Sequence, residues 1–228
     1  MDPVDFLKTM LLVFVPLFPV VNPIGDAPIF LAMTQWYPNS VRRVLARKIA
    51  AYGFGILAVS FLFGSVILDF FGISIEVIQI AGGLVLASTG WNLLNQTDDS
   101  SSDKTNPPTM EDALEHAFYP LTLPLTVGPG CISIAITLGA HIRRQAGTGW
   151  EHGYPRHFLA ALTGMLLLCV LVMVCYSNAE RLVKRLGKAG TTIVVRMSAF
   201  ILLAIGVQIM WNGLGNGLPQ LFKFLTSR

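Results

Sequence analysis

The chain has 228 residues, of which 53% are hydrophobic and 13% charged, with a formal net charge of +3 and a mean hydropathy of +0.61. That balance excludes a soluble domain with an ordinary solvated surface. Charge so slight and scattered also excludes a nucleic-acid partner. What remains is an all-α membrane protein whose surroundings are the lipid bilayer.

A membrane span needs roughly 20 apolar residues, and six stretches qualify: 6–33, 49–68, 73–94, 118–141, 158–176 and 191–214. The segment before the first, Met1-Asp2-Pro3-Val4-Asp5, lacks the basic region and small-residue cleavage site of a signal peptide, so span one is expected to be retained. Span one is interrupted by Pro16, Pro19, Asn22, Pro23, Gly25, Asp26 and Pro28. Proline removes a backbone donor and clashes with the preceding turn, so this span is expected to break inside the membrane. Span three carries Ala81, Gly82, Gly83, Ala87, Ser88 and Gly90 over less than three turns, a small-residue face suited to close helix packing. The polar, acidic stretch around Asp98, Asp99, Asp103, Pro107 and Pro108 reads as a flexible linker over 96–117. Span four repeats the anomaly of span one, with Pro120, Pro124, Gly128, Pro129 and Gly130. Cys131, Cys169 and Cys175 match no zinc or redox spacing and read as buried free thiols. Trp36, Trp91, Trp150 and Trp211 fall near span ends, as interfacial anchors do.

The linker divides the chain into a first three-span half, 1–95, and a second, 118–228, within one membrane domain. A shift of 105 residues lays Pro19 on Pro124 and Gly25 on Gly130, while spans three and six align at a shift of 117 or, through Trp91-Asn92 and Trp211-Asn212, of 120. Each half has an odd number of spans, so two copies must cross the membrane in opposite directions. The expectation is two inverted three-helix repeats with broken first helices, spans one and four, the pattern of a transporter with a site near mid-membrane. Of the two sets of loops, one holds nine Lys and Arg residues (Arg42, Arg43, Arg47, Lys48, Lys104, Arg181, Lys184, Arg185, Lys188) and the other six (Lys8, Arg143, Arg144, Arg156, Lys223, Arg228), which favours both termini outside.

Residues 22–30 (NPIGDAPIF) and 120–133 (PLTLPLTVGPGCIS) resemble the MarC family of bacterial multi-pass membrane proteins, and the resemblance extends over essentially the whole chain. It implies a six-helix inner-membrane protein related to proposed small neutral amino-acid transporters and, more remotely, to LysE-like exporters. Relatives often carry Asn where this chain has Asp26, so an ionisable group stands here beside the expected site.

The breaks supply the candidate substrate-binding residues: Asn22, Pro23, Gly25, Asp26, Thr126, Gly128, Pro129, Gly130 and Ser133. Asn22 precedes a proline and is biased away from helix, leaving its amide for coordination or for capping the broken helix. Asp26 is placed either to cap the second half-helix or to couple transport to a proton or cation, since carboxylates within spans are costly and usually functional. Gly128-Pro129-Gly130, with the matching start after Gly25, exposes amides at a helix N-terminus where a substrate carboxylate is favoured. Thr126 and Ser133 supply hydroxyls to the site or to the core. Arg196 either snorkels to water or pairs with Asp26 or a substrate carboxylate. Gln79 is its approximate counterpart in span three, and Gln208 is a polar group deeper in span six. No phosphate-binding loop supports a pump, and no catalytic constellation supports an enzyme. The reading is therefore a cofactor-free secondary transporter or exporter of a small polar solute, an amino acid or related metabolite. Its alternative is a membrane scaffold that transports nothing, and the small-residue faces leave homo-oligomerisation open.

Overall fold

A computed structural model describes residues 3–95, 110–146 and 154–226, all of whose regular elements are helical. In chain order they are α1 (Pro3–Val21), α2 (Pro23–Met33), α3 (Asn39–Phe71), α4 (Ile75–Asn95), α5 (Met110–Phe118), an irregular π-type segment (Leu121–Thr126), α6 (Pro129–Ala146), α7 (Tyr154–Ser177) and α8 (Ala179–Thr226). Five helical stretches are long and apolar enough to cross a membrane, α1 with α2 counting as one. A sixth crossing is possible through 113–126 and 129–144, which meet at a bend of 68°.

Local chemistry sets most of the boundaries. Pro16 and Pro19 lie within α1, and the chain leaves the helix at Asn22 before restarting at Pro23. α3 ends at Gly72, whose φ of +67° lets its amide turn back to the carbonyls of Leu68 and Asp69. A left-handed residue after the last helical turn is the usual way to satisfy orphan carbonyls, and glycine takes it without a Cβ penalty. Gly187, at φ +65°, divides α8 into a polar piece, 179–186, and the long apolar helix beyond it.

Part of the expected linker is ordered helix. Residues 110–118 form α5, with Ala113 and Ala117 fully buried, and α5 packs on α3. Its apolar positions recur at helical spacing, so it gains a buried stripe that its acidic composition concealed. Residues 96–109, including Lys104, and Trp150 lie outside the described residues. Trp36, Trp91 and Trp211 are all largely exposed.

The helices close on one another through glycines. α4 and α8 run antiparallel: a Cβ on Gly83 would lie 2.6 Å from the Gly206 carbonyl, and one on Gly90 2.8 Å from that of Ala199. A Cβ on Gly139 of α6 would strike the Phe61 carbonyl of α3, and one on Gly164 of α7 would lie 2.6 Å from that of Met10 in α1. Lipid tails are as apolar as leucine, so helix association there depends on close backbone approach rather than on expulsion of water. Around these seams Val13, Leu17, Leu45, Ile49, Leu57, Phe61, Met165 and Leu168 form the core. Phe70, Phe71, Ile193 and Phe200 face outward, as lipid-facing residues do.

At one end, Glu180 joins α3 to α8, accepting from Arg42 at 3.3 Å and from Lys184 at 2.7 Å. The hydrogen bond from Lys184, then one from Asn39, hold its carboxyl below the ordinary glutamate range, the Lys184 and Arg42 charges adding to this. A lowered folded-state pKa contributes stability above the unfolded value that is lost as pH falls through the folded one. Glu180→Gln should therefore remove a pH-dependent component of the thermal midpoint between about pH 6 and about pH 3, leaving the low-pH midpoint unchanged. The α4–α8 seam makes a second prediction. Gly206→Leu, driven into the backbone of Ala87 and Gly83, should cost about 1–3 kcal/mol or more and lower the melting temperature in detergent. Gly55→Ala, which meets nothing within 4 Å, should stay within about 0.5 kcal/mol of the parent.

Candidate functional site

The two breaks come together. A cavity of about 420 Å³ is lined by Asn22, Asp26, Ile29 and Met33 from the first break and α2, and by Pro120, Pro124, Gly128, Pro129, Gly130 and Cys131 from the second. Leu86, Thr89 and Leu93 of α4, with Leu202 of α8, complete its wall. The volume falls within the roughly 300–1,000 Å³ of small-molecule sites, and like them the wall is apolar with a few polar groups.

Asn22 organises the first break. Its φ of 47° and ψ of 54° are left-handed, a region Asn tolerates better than most residues. Its Oδ1 accepts from the Gly25 amide at 3.2 Å, and its Nδ2 donates to Asp26 Oδ1 at 3.3 Å. Asn22 is thus the N-cap of α2, with Pro23 in the first helical position, where its missing N–H costs nothing. That corrects the capping alternative for Asp26. The helix begins one turn earlier than that alternative requires, and Asp26 sits inside the first turn with its own amide bonded to the Asn22 carbonyl. Asp26 is only 6% exposed, and none of the ion pairs among the described residues includes it.

The second break is held by its own threonine hydroxyls and by a side chain from α7. The Tyr119–Pro120 and Leu123–Pro124 bonds are cis, and Leu123 departs from helical geometry. Thr126 Oγ1 donates to the Leu121 carbonyl at 2.8 Å and lies 3.0 Å from the Tyr176 hydroxyl. The single threonine proton is used on Leu121, so Tyr176 is the donor to Thr126. The Tyr176 ring stacks on Phe30 of α2 with centroids 4.5 Å apart. One α7 side chain therefore ties the two breaks together.

Of the residues singled out in the sequence, Asn22, Asp26, Gly128, Pro129 and Gly130 line the cavity. Pro23, Gly25, Thr126 and Ser133 stand behind it. Gly25 lets α8 approach, since a Cβ there would lie 2.6 Å from Ser198 Oγ. Ser133 donates to the Ile78 carbonyl of α4 at 2.9 Å, against Gly82. Arg196 is exposed and makes no ion pair with Asp26. Gln208, also exposed, donates to Asn212 at 2.8 Å. Gln79 lines a different cavity. Thr89 and Leu86 were missed because they look like ordinary members of a small-residue helix, and Tyr176 because it is 50 residues from its partner.

A family model described as MarC family integral membrane protein matches residues 7–218. The chain is 31% identical over 217 residues to the UPF0056 membrane protein YvbG of Bacillus subtilis, covering 94% of this chain and 96% of that one. It is 32% identical over 212 residues to a UPF0056 membrane protein of Methanocaldococcus jannaschii, covering 93% and 98%. The UPF0056 inner membrane protein MarC of Escherichia coli is 29% identical over 216 residues, covering 92% and 96%. No solved structure shows significant similarity to the chain.

Asn22→Ala should cost about 2 kcal/mol, from loss of the cap and because alanine lacks the local side-chain hydrogen bonding that lets asparagine tolerate the left-handed region. Asn22→Gly, which keeps that backbone free, should cost about 0.5 kcal/mol. Thermal unfolding of the two purified variants in detergent checks the order.

Proposed function

Because the chain belongs to the MarC family of integral membrane proteins, and because its two helix breaks share one cavity, we propose that it is a secondary transporter or exporter of a small polar solute. The class that best fits is an amino acid or a related metabolite. The observation that carries this reading is the cavity's composition. Irregular backbone at membrane depth is tolerated where it lines a protein-walled space, and discontinuous helices meeting at such a space are how many secondary transporters hold substrate.

Each break offers a different pole. The chain restarts as a helix at Pro129, and the amides of that first turn, with the helix dipole behind them, favour a carboxylate. Across the cavity Asp26 is buried, and among the described residues its carboxylate has only the Asn22 carboxamide as hydrogen-bond partner. An isolated buried carboxylate is costly as an ion, so a proton, a coupling cation or the ammonium of a zwitterion completes it. In this reading Asp26 binds and couples, Asn22 holds Asp26 in place, and no enzyme chemistry is involved.

The packing of α4 on α8 supports the inverted repeat behind alternating access. Gly83 meets Gly206, and these are 123 residues apart, as are Gly90 and Gly213, a shift that differs from the 117 or 120 read from the sequence. A Cβ on Gly90 would approach the Ala199 carbonyl at 2.8 Å and one on Gly213 the Glu76 carbonyl at 2.7 Å. Ala199 and Glu76 are again 123 apart, so each contact is the mate of the other about an axis through Gly83 and Gly206. The same seam bears on the scaffold alternative: its glycines are occupied within the chain and require no partner. The Escherichia coli relative is named as an inner membrane protein, and we place this chain likewise in a bacterial inner membrane with both termini outside.

Counterflow of radiolabelled neutral amino acids into proteoliposomes tests the function. Saturable exchange is expected, abolished by Gly128→Leu, which fills the cavity at the second break, and uncoupled from the proton or cation gradient by Asp26→Asn. Folded protein in sealed vesicles that exchanges nothing would favour the scaffold.

A further inference from the structure

A second cavity, of about 320 Å³, is lined by Pro16, Pro19, Gln79, Ile134, Thr137, Leu138, Ile205, Ile209 and Asn212. Most of its lining positions are mates of positions that line the first cavity. At the 105-residue shift of spans one and four, Pro124, Ile29 and Met33 of the first cavity correspond to Pro19, Ile134 and Leu138 of the second. At the 123-residue shift of α4 and α8, Leu86, Thr89 and Leu202 correspond to Ile209, Asn212 and Gln79. Six of the nine lining positions are therefore mates of positions lining the first cavity.

Chain direction sets the two cavities at opposite depths. The first uses the late part of span one (Met33), the late part of α4 (Leu93) and the entry of span four (Pro120). The second uses the earlier part of span one (Pro16), the early part of α4 (Gln79) and the later part of span four (Leu138).

The second cavity is not merely a packing defect, because its polar positions come from both halves. Gln79 of α4, Thr137 of α6 and Asn212 of α8 face one space. Gln79 Oε1 is buried and has no hydrogen-bond partner among the described residues. Gln79 as a whole is half-buried, but a buried acceptor atom left unmatched calls for a donor, and the broad terminal torsion of glutamine can turn that oxygen into the cavity. Among the described residues no charged side chain lines this cavity, in contrast to Asp26 in the first.

We propose that this cavity is the opposite-facing solute site of the same pathway, in which the Gln79 carboxamide receives an N–H donor of the solute, an ammonium or amide group, after release from Asp26. The inference rests on the transport reading above and adds to it a second site and its ligand chemistry. The two half-sites then alternate in being open, one to each side of the membrane.

Two measurements test it separately from the transport reading. In protein lacking its native cysteines, Thr89→Cys and Asn212→Cys are exposed to a membrane-impermeant cationic methanethiosulfonate in vesicles of known orientation. Labelling of the two from opposite sides is expected, and labelling of both from the same side overturns the pairing of the cavities. In counterflow, Gln79→Leu should lower neutral amino-acid exchange by about tenfold, the loss expected for one buried hydrogen bond to a charged donor, with partial recovery in Gln79→Asn. Wild-type exchange in folded Gln79→Leu protein overturns the role of Gln79. Absence of exchange in the parent defeats the transport reading alone, and the labelling still decides whether the cavities open to opposite sides.

Discussion

Hydrocarbon offers no hydrogen-bond partner to a backbone that has left its helix, and the rest of this structure follows from how two such departures are accommodated. The breaks at Asn22 and at 121–128 are each closed by their own side chains: the Asn22 carboxamide on the Gly25 amide, and the Thr122 and Thr126 hydroxyls on the carbonyls of Ala117 and Leu121. They are then placed against each other, where Phe30 and Tyr176 stack. Satisfying the freed groups locally keeps the breaks stable. Facing them together leaves a cavity rather than a lipid contact.

Keeping a cavity open inside a small bundle requires that the surrounding helices be held tightly elsewhere. The glycine contacts do this: Gly83 on Gly206, Gly139 on Phe61 and Gly164 on Met10 bring backbones close enough for dispersion to hold them. The α4–α8 crossing is also where the proposed two-fold axis passes. A seam of backbone against backbone has few side chains to repack, so it suits the pivot that the proposed alternating access needs. Polar groups divide unequally between the two cavities, with Asn22, Asp26 and Thr89 lining the first and Gln79, Thr137 and Asn212 the second. Under the proposed transport, that asymmetry suits a solute that must be bound firmly enough to enter and loosely enough to leave.

Spans and their interruptions were readable from residue order because both depend on local chemistry. Twenty apolar residues in a row, a proline inside them and a glycine after them act within a few residues of chain. The helix at 110–118 was hidden because its stripe of Ala113 and Ala117 is short and lies in an acidic context, and only packing on α3 makes it worth forming. The assignment of the cap was hidden for a related reason. Asn22 and Asp26 are both good caps, and the choice between them depends on where the chain turns, which the left-handed backbone at Asn22 settles.

By itself, then, the sequence determined that this is a helical membrane protein, that spans one and four are broken, and that Asn22, Asp26 and the Gly128-Pro129-Gly130 turn stand at the breaks. Those are properties of composition and of backbone chemistry along the chain. Only the tertiary structure decided that the two breaks share a cavity, that Tyr176 joins them, and that Thr126, Ser133 and Gly25 serve the packing behind it. It alone set Gln79 apart in a second cavity and left Arg196 away from Asp26. Which groups meet depends on contacts 50 to 120 residues apart, and these are set by how closely whole helices can approach, a quantity no local pattern encodes.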